Sequence, residues 1–507
     1  MTDRRVRTYG LVLALALGPL MLGACGGGSA PPPALQPPAA PPPSPPPPPP
    51  PTSFDTAEFR RNYGLGQINA LPAYEKGASG AGVIVGVIDT GIDRDHPDLI
   101  GAISPASANS FDPRLTVEDA DGHGTLVAGI IAARRNAAAS FGVAFEAQIL
   151  AVRAEDPSTC DSEEGCQFND NDIANGIDIA VAGGARVINL SLGGGAGNFS
   201  FVNAVDRATR AGVIIVIAAG NADEETTAAE QANPTPFAQV ALQPAANGLV
   251  IIAGATDETE RIADFSHRAG VAQNVFVVAP GVSVFTTDLG GGSALASGTS
   301  FAAPHVAGAL ALLIDLFPNL TAGQLVDLVL STARDTASSD DAPGTDAIYG
   351  RGLIDLGAAI APRGTTAVPT ASSVGTSAIP VALSGGRTPP AMGDALTRTG
   401  ALSDLIMLDA LERAYRIDLG ARLAALPTTP YLEDRLVARA GWFSGRLDLG
   451  AYGLKISGAD RFAGRANLRP LIGGAAEDRD LARPSRLRFD GALGPAHVSL
   501  GYGCELG

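Results

Sequence analysis

The amino-acid sequence predicts an α/β protein: a doubly wound, mostly parallel sheet flanked by helices, followed by a poorly defined C-terminal extension. Three observations predict it. Between residues 54 and 360, short and nearly continuous β-branched apolar runs recur, as buried parallel strands do. Helical stretches separate those runs, so the connections must cross over. Polar residues with reactive side chains stand just past the ends of two runs, where an open parallel sheet gathers its ligands.

Taken in order, the strands are expected at Val83–Ile88, Ile149–Val152, Arg186–Leu190, Val213–Ala218, Leu249–Ala253 and Val275–Ala279. The helices are expected at His123–Ala133, Asp172–Ala182, Phe201–Ala211 and Ser300–Leu316. Asp89 follows the first strand and Asn221 closely follows Val213–Ala218. Residues 361–400 are dense in Thr, Ser, Pro and Gly and read as a linker. From 401 to 507 a helix is expected over Ala401–Leu426, from the spacing of Leu402, Leu405, Ile406, Leu408 and Leu411. After Ala438, alternating pieces such as Arg446-Leu447-Asp448-Leu449 and Arg486-Leu487-Arg488-Phe489 suggest antiparallel strands.

Residues 1–25 read as a targeting segment. Arg4, Arg5 and Arg7 precede an apolar run from Leu11 to Leu22 that is short for a bilayer span, in the layout of a secretory signal. Leu22-Gly23-Ala24-Cys25 resembles a bacterial lipobox, in which Cys25 would carry lipid; an ordinary signal peptide with an incidental Cys is the alternative. Gly26 after the Cys favours an outer-membrane or surface address, with release to the medium left open. Residues 26–53 form a proline-rich linker, and 15 of the 21 residues from Pro31 to Pro51 are proline. As polyproline II this tract would reach about 65 Å.

The formal net charge of −17 argues against nucleic acid as a partner, so membrane contact would come through lipid at Cys25. Cys160 and Cys166 flank a short acidic stretch and are expected to form a local disulfide; a metal pair is the weaker reading. Cys504 is left over.

Three runs carry the chemistry: Val87-Ile88-Asp89-Thr90-Gly91, Asp121-Gly122-His123-Gly124-Thr125 and Gly298-Thr299-Ser300-Phe301-Ala302-Ala303-Pro304-His305. They supply an acid, a base and a nucleophile in the order Asp, His, Ser, one of the convergent orders of the serine-protease triad. A serine hydroxyl needs a base to take its proton, and His123 is the candidate. Asp89 would hold the imidazole tautomer. Each alone has a bland reading as a turn or cap residue; jointly those readings fail. Ser300 opens a helix, whose free amides and positive dipole end favour negative charge. Asn221, after Gly220, offers a side-chain amide for an oxyanion hole, with a turn-forming role as the alternative. His305, one turn past Ser300, reads as a packing residue.

The segment from Gly80 to Leu356 resembles the catalytic domain of subtilisin-like serine peptidases. Gly142-Val143-Ala144 and Tyr349-Gly350-Arg351-Gly352-Leu353-Ile354-Asp355 carry the resemblance beyond the three runs. The resemblance implies a peptidase domain over 54–360 and a substrate-pairing strand at Ser191, Leu192, Gly193 and Gly194. It also implies a proline, often cis, near the S1 pocket at Pro244, and no cofactor for catalysis. Asp98 and Asn136 stand like two ligands of the family's calcium site, but Arg134-Arg135-Asn136-Ala137-Ala138 is Ala-rich and basic, which argues against calcium; the metal stays unassigned. Leu126 replaces a second His of the base motif.

With its lipobox and proline spacer the chain also resembles lipoprotein autotransporter passengers, through Asn62-Tyr63-Gly64-Leu65 and the expected helix near Ala401–Arg422. A membrane barrel needs eight or more strands of about ten residues, so residues 401–507 would hold at most a truncated one. The expected function is therefore a surface-anchored serine endopeptidase acting on protein or peptide substrates. P1 preference is expected to be apolar, since no charged residue is evident at the pocket in the sequence. A catalytically silent surface lipoprotein that binds peptides or adheres, and a hydrolase of non-peptide acyl groups, are the alternatives.

Overall fold

The computed structural model describes residues 53–139, 141–160, 166–338, 342–369, 378–381, 387–388, 402–419 and 424–425, and four strands between 441 and 502. Cys25, the signal segment, the proline tract and Cys504 lie outside the described residues.

Three short helices come first: α1 (Ala57–Arg61), α2 (Tyr63–Gln67) and α3 (Leu71–Glu75). The central sheet has seven strands: β1 (Ile84–Asp89), β2 (Ala108–Asn109), β3 (Gln148–Arg153), β6 (Val187–Leu190), β7 (Ile214–Ala218), β8 (Val250–Thr256) and β9 (Phe276–Pro280). A small hairpin of β4 (Glu155–Asp156) and β5 (Gln167–Phe168) follows β3, and between its strands Cys160 and Cys166 are joined as a disulfide. Sheet order is β2-β3-β1-β6-β7-β8-β9, with every pairing parallel.

Side chains along the strands alternate between two cores, the period-2 signature of a sheet covered on both faces. Val85, Val87, Val187, Val216 and Ile251 face α4 (His123–Ala132) and α8 (Thr299–Leu316). Ile88, Ile188, Leu190, Ile215 and Ile252 face α5 (Asp170–Ala182) and α6 (Phe199–Arg210). α8 is long and apolar enough by composition to cross a membrane, yet 83% of it is buried in this domain. Its apolar character is that of a core helix.

A hairpin that the sequence does not announce, β10 (Val284–Asp288) and β11 (Gly292–Ala296), packs across α4. Thr286 Oγ1 and Thr287 Oγ1 donate to the carbonyls of Leu126 and Thr125, each at 2.8 Å. A Cβ on Gly129 would sit 2.0 Å from Thr287 Oγ1, so only glycine lets the hairpin approach this closely.

Residues 401–426 correct the expectation of a helix. Leu405–Leu408 and Ala414–Ile417 are antiparallel strands, joined in one sheet with Ala367–Pro369 and Ala378–Pro380, so part of the expected linker is strand as well. The turn between the first two is organised by Arg413, which is fully buried. Its guanidinium pairs with Asp409 Oδ2 at 2.7 and 2.9 Å and donates to the carbonyls of Ala359 (2.6 Å) and Ala361 (2.8 Å). It also stacks 4.8 Å from the Phe317 ring. Five apolar side chains at helix-like spacing are thus overridden by one buried ion pair at the end of the catalytic domain. The alternating pieces after Ala438 are antiparallel strands, Gly441–Leu449, Tyr452–Asp460, Arg486–Leu493 and Ala496–Tyr502.

Candidate active site

The carboxyl ends of β1, β6 and β7 converge on the amino end of α8, and each delivers a residue that the sequence singles out. Asp89 is the last residue of β1 and is wholly buried. Its Oδ1 accepts from the Thr90 amide (2.8 Å) and from His123 Nδ1 (2.7 Å), while Oδ2 is buried without a partner. With Nδ1 facing a carboxylate, the proton is assigned there and Nε2 is left as the acceptor. His123 can reach Asp89 because α4 begins hard against the turn after β1. A Cβ on Gly124 would fall 2.3 Å from the Gly91 carbonyl oxygen.

The loop leading into α4 is held by a residue the sequence reading passed over. Asp119, buried, accepts from Thr90 Oγ1 (3.0 Å), the Gly122 amide (2.8 Å), and the Thr125 amide (2.8 Å) and hydroxyl (2.6 Å). Thr90 Oγ1 in turn accepts from the Gly124 amide at 2.9 Å. The repeated acidic spacing Asp119-Ala120-Asp121 before Gly122-His123 was the available signal.

Burial alone would lower the His123 pKa. The charge and hydrogen bond of Asp89, with Asp121 and Asp119 behind, outweigh burial and hold the imidazole above its ordinary value. His305 differs. It is fully buried, its Nδ1 lies 2.8 Å from the Phe301 carbonyl, and burial pushes its pKa down to about 4. It is a neutral packing residue, as the sequence suggests.

Ser300 is the second residue of α8, whose N-cap is Gly298. Its hydroxyl donates to the Ser191 carbonyl (3.2 Å), and Ser191 Oγ donates back to the Ser300 carbonyl (2.6 Å). The second bond has a cause in the sequence. In a helix the Ser300 carbonyl would accept the amide of residue 304, but Pro304 has none. Ser191, the residue after β6, fills the vacancy, and its own Oγ accepts from Asn189 Nδ2 at 2.9 Å. The structure shows no hydrogen bond between Ser300 and His123. A rotation about the serine Cα–Cβ bond must bring Oγ to Nε2, and such contacts commonly tighten only when substrate binds.

Asn221 stands three residues past β7. Its Oδ1 accepts both the Thr299 amide (2.9 Å) and the Thr299 hydroxyl (3.0 Å). Two donors on the oxygen fix the amide orientation and leave Nδ2 as a donor beside the first turn of α8. Thr299 is therefore a positioning residue the sequence reading missed.

The cleft beside Ser300 has a volume of about 580 Å³. Leu192, Gly193 and Gly194 line it, as the resemblance implies, and so do Asn221 and Thr299. Two expectations are corrected here. Pro244 does not line the cleft; it opens the short turn Pro244–Ala246, none of the described peptide bonds is cis, and the cleft's proline is Pro236. The cleft is also not free of charge, because Asp223, Glu225 and Glu230 lie along it.

At the place where calcium ligands were considered, the side chains satisfy one another. Asn136 Nδ2 donates to Asp98 Oδ1 at 2.7 Å, and buried Glu58 accepts the amides of Asn136 and Ala137 at 3.0 Å each. The Arg61 guanidinium donates to the carbonyls of Ala138 and Ala139, and Arg134 to those of Phe145, Ala147 and Gly101. Loop carbonyls that could ring a cation already face arginines. Among the described residues, the groups that would have to turn toward a calcium ion are engaged with one another instead.

Such a constellation can carry acyl transfer on a serine hydroxyl. The subtilase family model matches residues 80–352 of this chain. Subtilisin DY of Bacillus licheniformis is 36% identical over 299 residues, covering 59% of this chain and 97% of that protein. Subtilisin of Bacillus pumilus and subtilisin Savinase of Lederbergia lenta match at the same identity over 98% and 97% of their lengths. The chain belongs to the subtilase family and is a serine endopeptidase, a hydrolase acting on protein or peptide substrates.

Three predictions follow from this geometry. Ser191→Ala leaves the Ser300 carbonyl unpaired and should cost about 1–3 kcal/mol of stability. In a Pro304→Ala background the new amide can take that carbonyl, so the same change should cost less; additive denaturation free energies would refute the pairing. On the reading of His123 as general base, which must be neutral to act, kcat/KM should rise with pH through its raised pKa, with a midpoint above about 6.5. A midpoint at or below that value in a pH–rate profile speaks against Asp89 as its partner. Thermal unfolding should be insensitive to EDTA, whereas Glu58→Ala, which removes the buried carboxylate that holds two loop amides, should cost about 1–3 kcal/mol. A large EDTA-induced fall in Tm would contradict the misfit with calcium.

Proposed function

We propose that Ser300 is the nucleophile, His123 the general base, Asp89 its orienting carboxylate and Asn221 an oxyanion donor of this endopeptidase. The observation that supports the reading best is the convergence itself: the 2.7 Å Asp89–His123 hydrogen bond and the amide of Asn221 lie around the amino end of α8, where Ser300 sits. Peptide would bind extended beside Ser191–Gly194. Ser300 Oγ attacks the scissile carbonyl as its proton passes to His123 Nε2. The oxyanion of the tetrahedral intermediate accepts hydrogen bonds from Asn221 Nδ2 and a first-turn amide of α8. His123 then protonates the leaving amine, the C–N bond breaks, and an acyl-enzyme remains. Water, deprotonated by His123, attacks the ester and releases Ser300.

The reading extends to location: a secreted protein held by lipid at Cys25 to the outer membrane or cell surface, with the proline tract as spacer and a C-terminal region of autotransporter type. Support for the anchor and spacer comes from the sequence of residues 1–53, and for the autotransporter likeness from Asn62-Tyr63-Gly64-Leu65, the helix expected near Ala401–Arg422 having given way to strands. A silent peptide-binding or adhesive lipoprotein remains the rival, and an intact acid, base, nucleophile and oxyanion donor gives it no support.

Fluorophosphonate labelling of intact cells tests chemistry and exposure together. Wild type should label, and Ser300→Ala should lose both labelling and peptide turnover. Labelling of that variant at the wild-type rate would remove Ser300 from its role. Metabolic incorporation of palmitate that survives Cys25→Ser would remove the anchor.

A further inference from the structure

The charged residues on the cleft carry a consequence for substrate choice, resting on the enzyme reading above. We propose that the pocket next to Ser300 selects a cationic P1 side chain, lysine or arginine, through Asp223, Glu225 and Glu230.

The pocket is built by chain segments far apart in sequence. The Thr235 amide donates to the Ala219 carbonyl (2.9 Å) and the Phe237 amide to the Gly194 carbonyl (3.2 Å). The segment 235–237 is thereby stitched across the extensions of β7 and β6 and closes the pocket. Between Asn221 and this closure the chain makes a loop containing a four-residue helix, α7 (Ala228–Gln231), and all three acids belong to it. Its start is fixed: Asn221 bridges to Ser266, and the Ala222 amide donates to the Phe265 carbonyl at 2.7 Å. Asp223 Oδ1 then accepts the amides of Glu225 (3.0 Å) and Thr226 (2.8 Å) and the Thr226 hydroxyl (2.6 Å), which pins its carboxylate two residues from the oxyanion donor. Glu230 Oε2 is held by the amide and hydroxyl of Thr227 at 2.9 and 2.6 Å. In both groups one oxygen is engaged and the other stays free to meet a cation. The same hydrogen bonds lower both carboxyl pKa values below the ordinary range, so the groups are ionised at neutral pH.

None of the three acids joins an ion pair among the described residues, and no Lys or Arg lines the cleft. His267, also on the cleft wall, is the basic side chain that acts on Glu230, and three carboxylates facing no Lys or Arg are an arrangement that a cationic ligand completes. The rest of the wall suits the alkyl stem of such a side chain: Leu192, Gly193, Gly194, Ala218 and Pro236 are apolar or bare backbone. Thr235 also lines the pocket, its Oγ1 shut off from solvent and without a hydrogen-bond partner. The inference replaces the apolar P1 preference expected from the sequence, whose premise was an uncharged pocket.

Because the carboxylates are exposed, each acts at the strength of a surface ion pair, up to about fivefold, and is screened by salt. The test uses the whole protein and fluorogenic peptides that differ only at P1: Arg, Lys, Leu, Phe and Glu. At low ionic strength kcat/KM for Arg and Lys should exceed that for Leu by about tenfold, and the ratio should shrink several-fold near 1 M NaCl. Asp223→Asn with Glu225→Gln should bring the Arg-to-Leu ratio to within about twofold of unity, as two such pairs are lost. Preference for Leu or Phe in the wild type, or an Arg-to-Leu ratio unmoved by the double change, overturns the inference. Fluorophosphonate labelling separates the layers. Labelling and turnover without cation preference sink the specificity alone, whereas absence of both sinks the catalytic reading on which it rests.

Discussion

The reciprocal hydrogen bonds between Ser191 and Ser300 are the joint on which the site hangs. They exist because Pro304 withholds the amide that would close the first turn of α8, which leaves the Ser300 carbonyl to the strand extension beside it. One missing N–H thus ties the helix that carries Ser300 to the strand end beside the cleft. Thr299 makes the parallel tie on the other side, binding Asn221 Oδ1 and, through its hydroxyl, accepting the Gly220 amide at 3.1 Å. Helix start, Asn221 and the strand end at Ser191 are therefore placed by two adjacent residues of one helical turn. Their relative positions cannot drift independently.

The Asp89–His123 pair is placed by a different device, close packing and buried charge. Gly124 lets α4 press onto the Asp89–Gly91 turn, and the β10–β11 hairpin presses on α4 from outside. Asp119 gathers the loop amides and the Thr90 and Thr125 hydroxyls around one buried carboxylate, which is affordable only because both of its oxygens are multiply hydrogen-bonded. Asp89 has no such surplus, since its second oxygen is orphaned. That imbalance leaves its charge directed at His123, the physical source of the raised imidazole pKa.

How much of this was legible in the sequence follows from how local each signal is. The six main strands and four long helices emerged close to their observed bounds, because buried parallel strands and core helices are written as continuous apolar runs. The positions of Asp89, His123, Ser300 and Asn221 were legible because each sits at a strand end or helix start among small residues. The misses share a cause. The β10–β11 hairpin, the role of Thr299 and the acidic rim of the cleft arise from contacts across tens of residues, such as Thr235 with Ala219 and Phe237 with Gly194. The helix expected over 401–426 failed for the same reason: Arg413 finds its partners at Ala359, Ala361 and Phe317, and these impose a turn on a segment whose local spacing favours a helix.

The arginines around the loop from Arg134 to Ala139 bear on what kind of stability this domain has. An ion held by loop carbonyls stabilises by mass action, so the fold's free energy then depends on free ion concentration. A guanidinium on the chain makes equivalent contacts to carbonyl oxygens but is always present and always charged. Here α1 supplies both signs: Glu58 takes the loop amides and Arg61 takes its carbonyls. The segment that leads into the domain from residue 53 is in this way folded into the domain's own stability. A break before residue 57 would leave Asp89, His123 and Ser300 untouched, whereas loss of α1 would strip the loop of the groups that satisfy it.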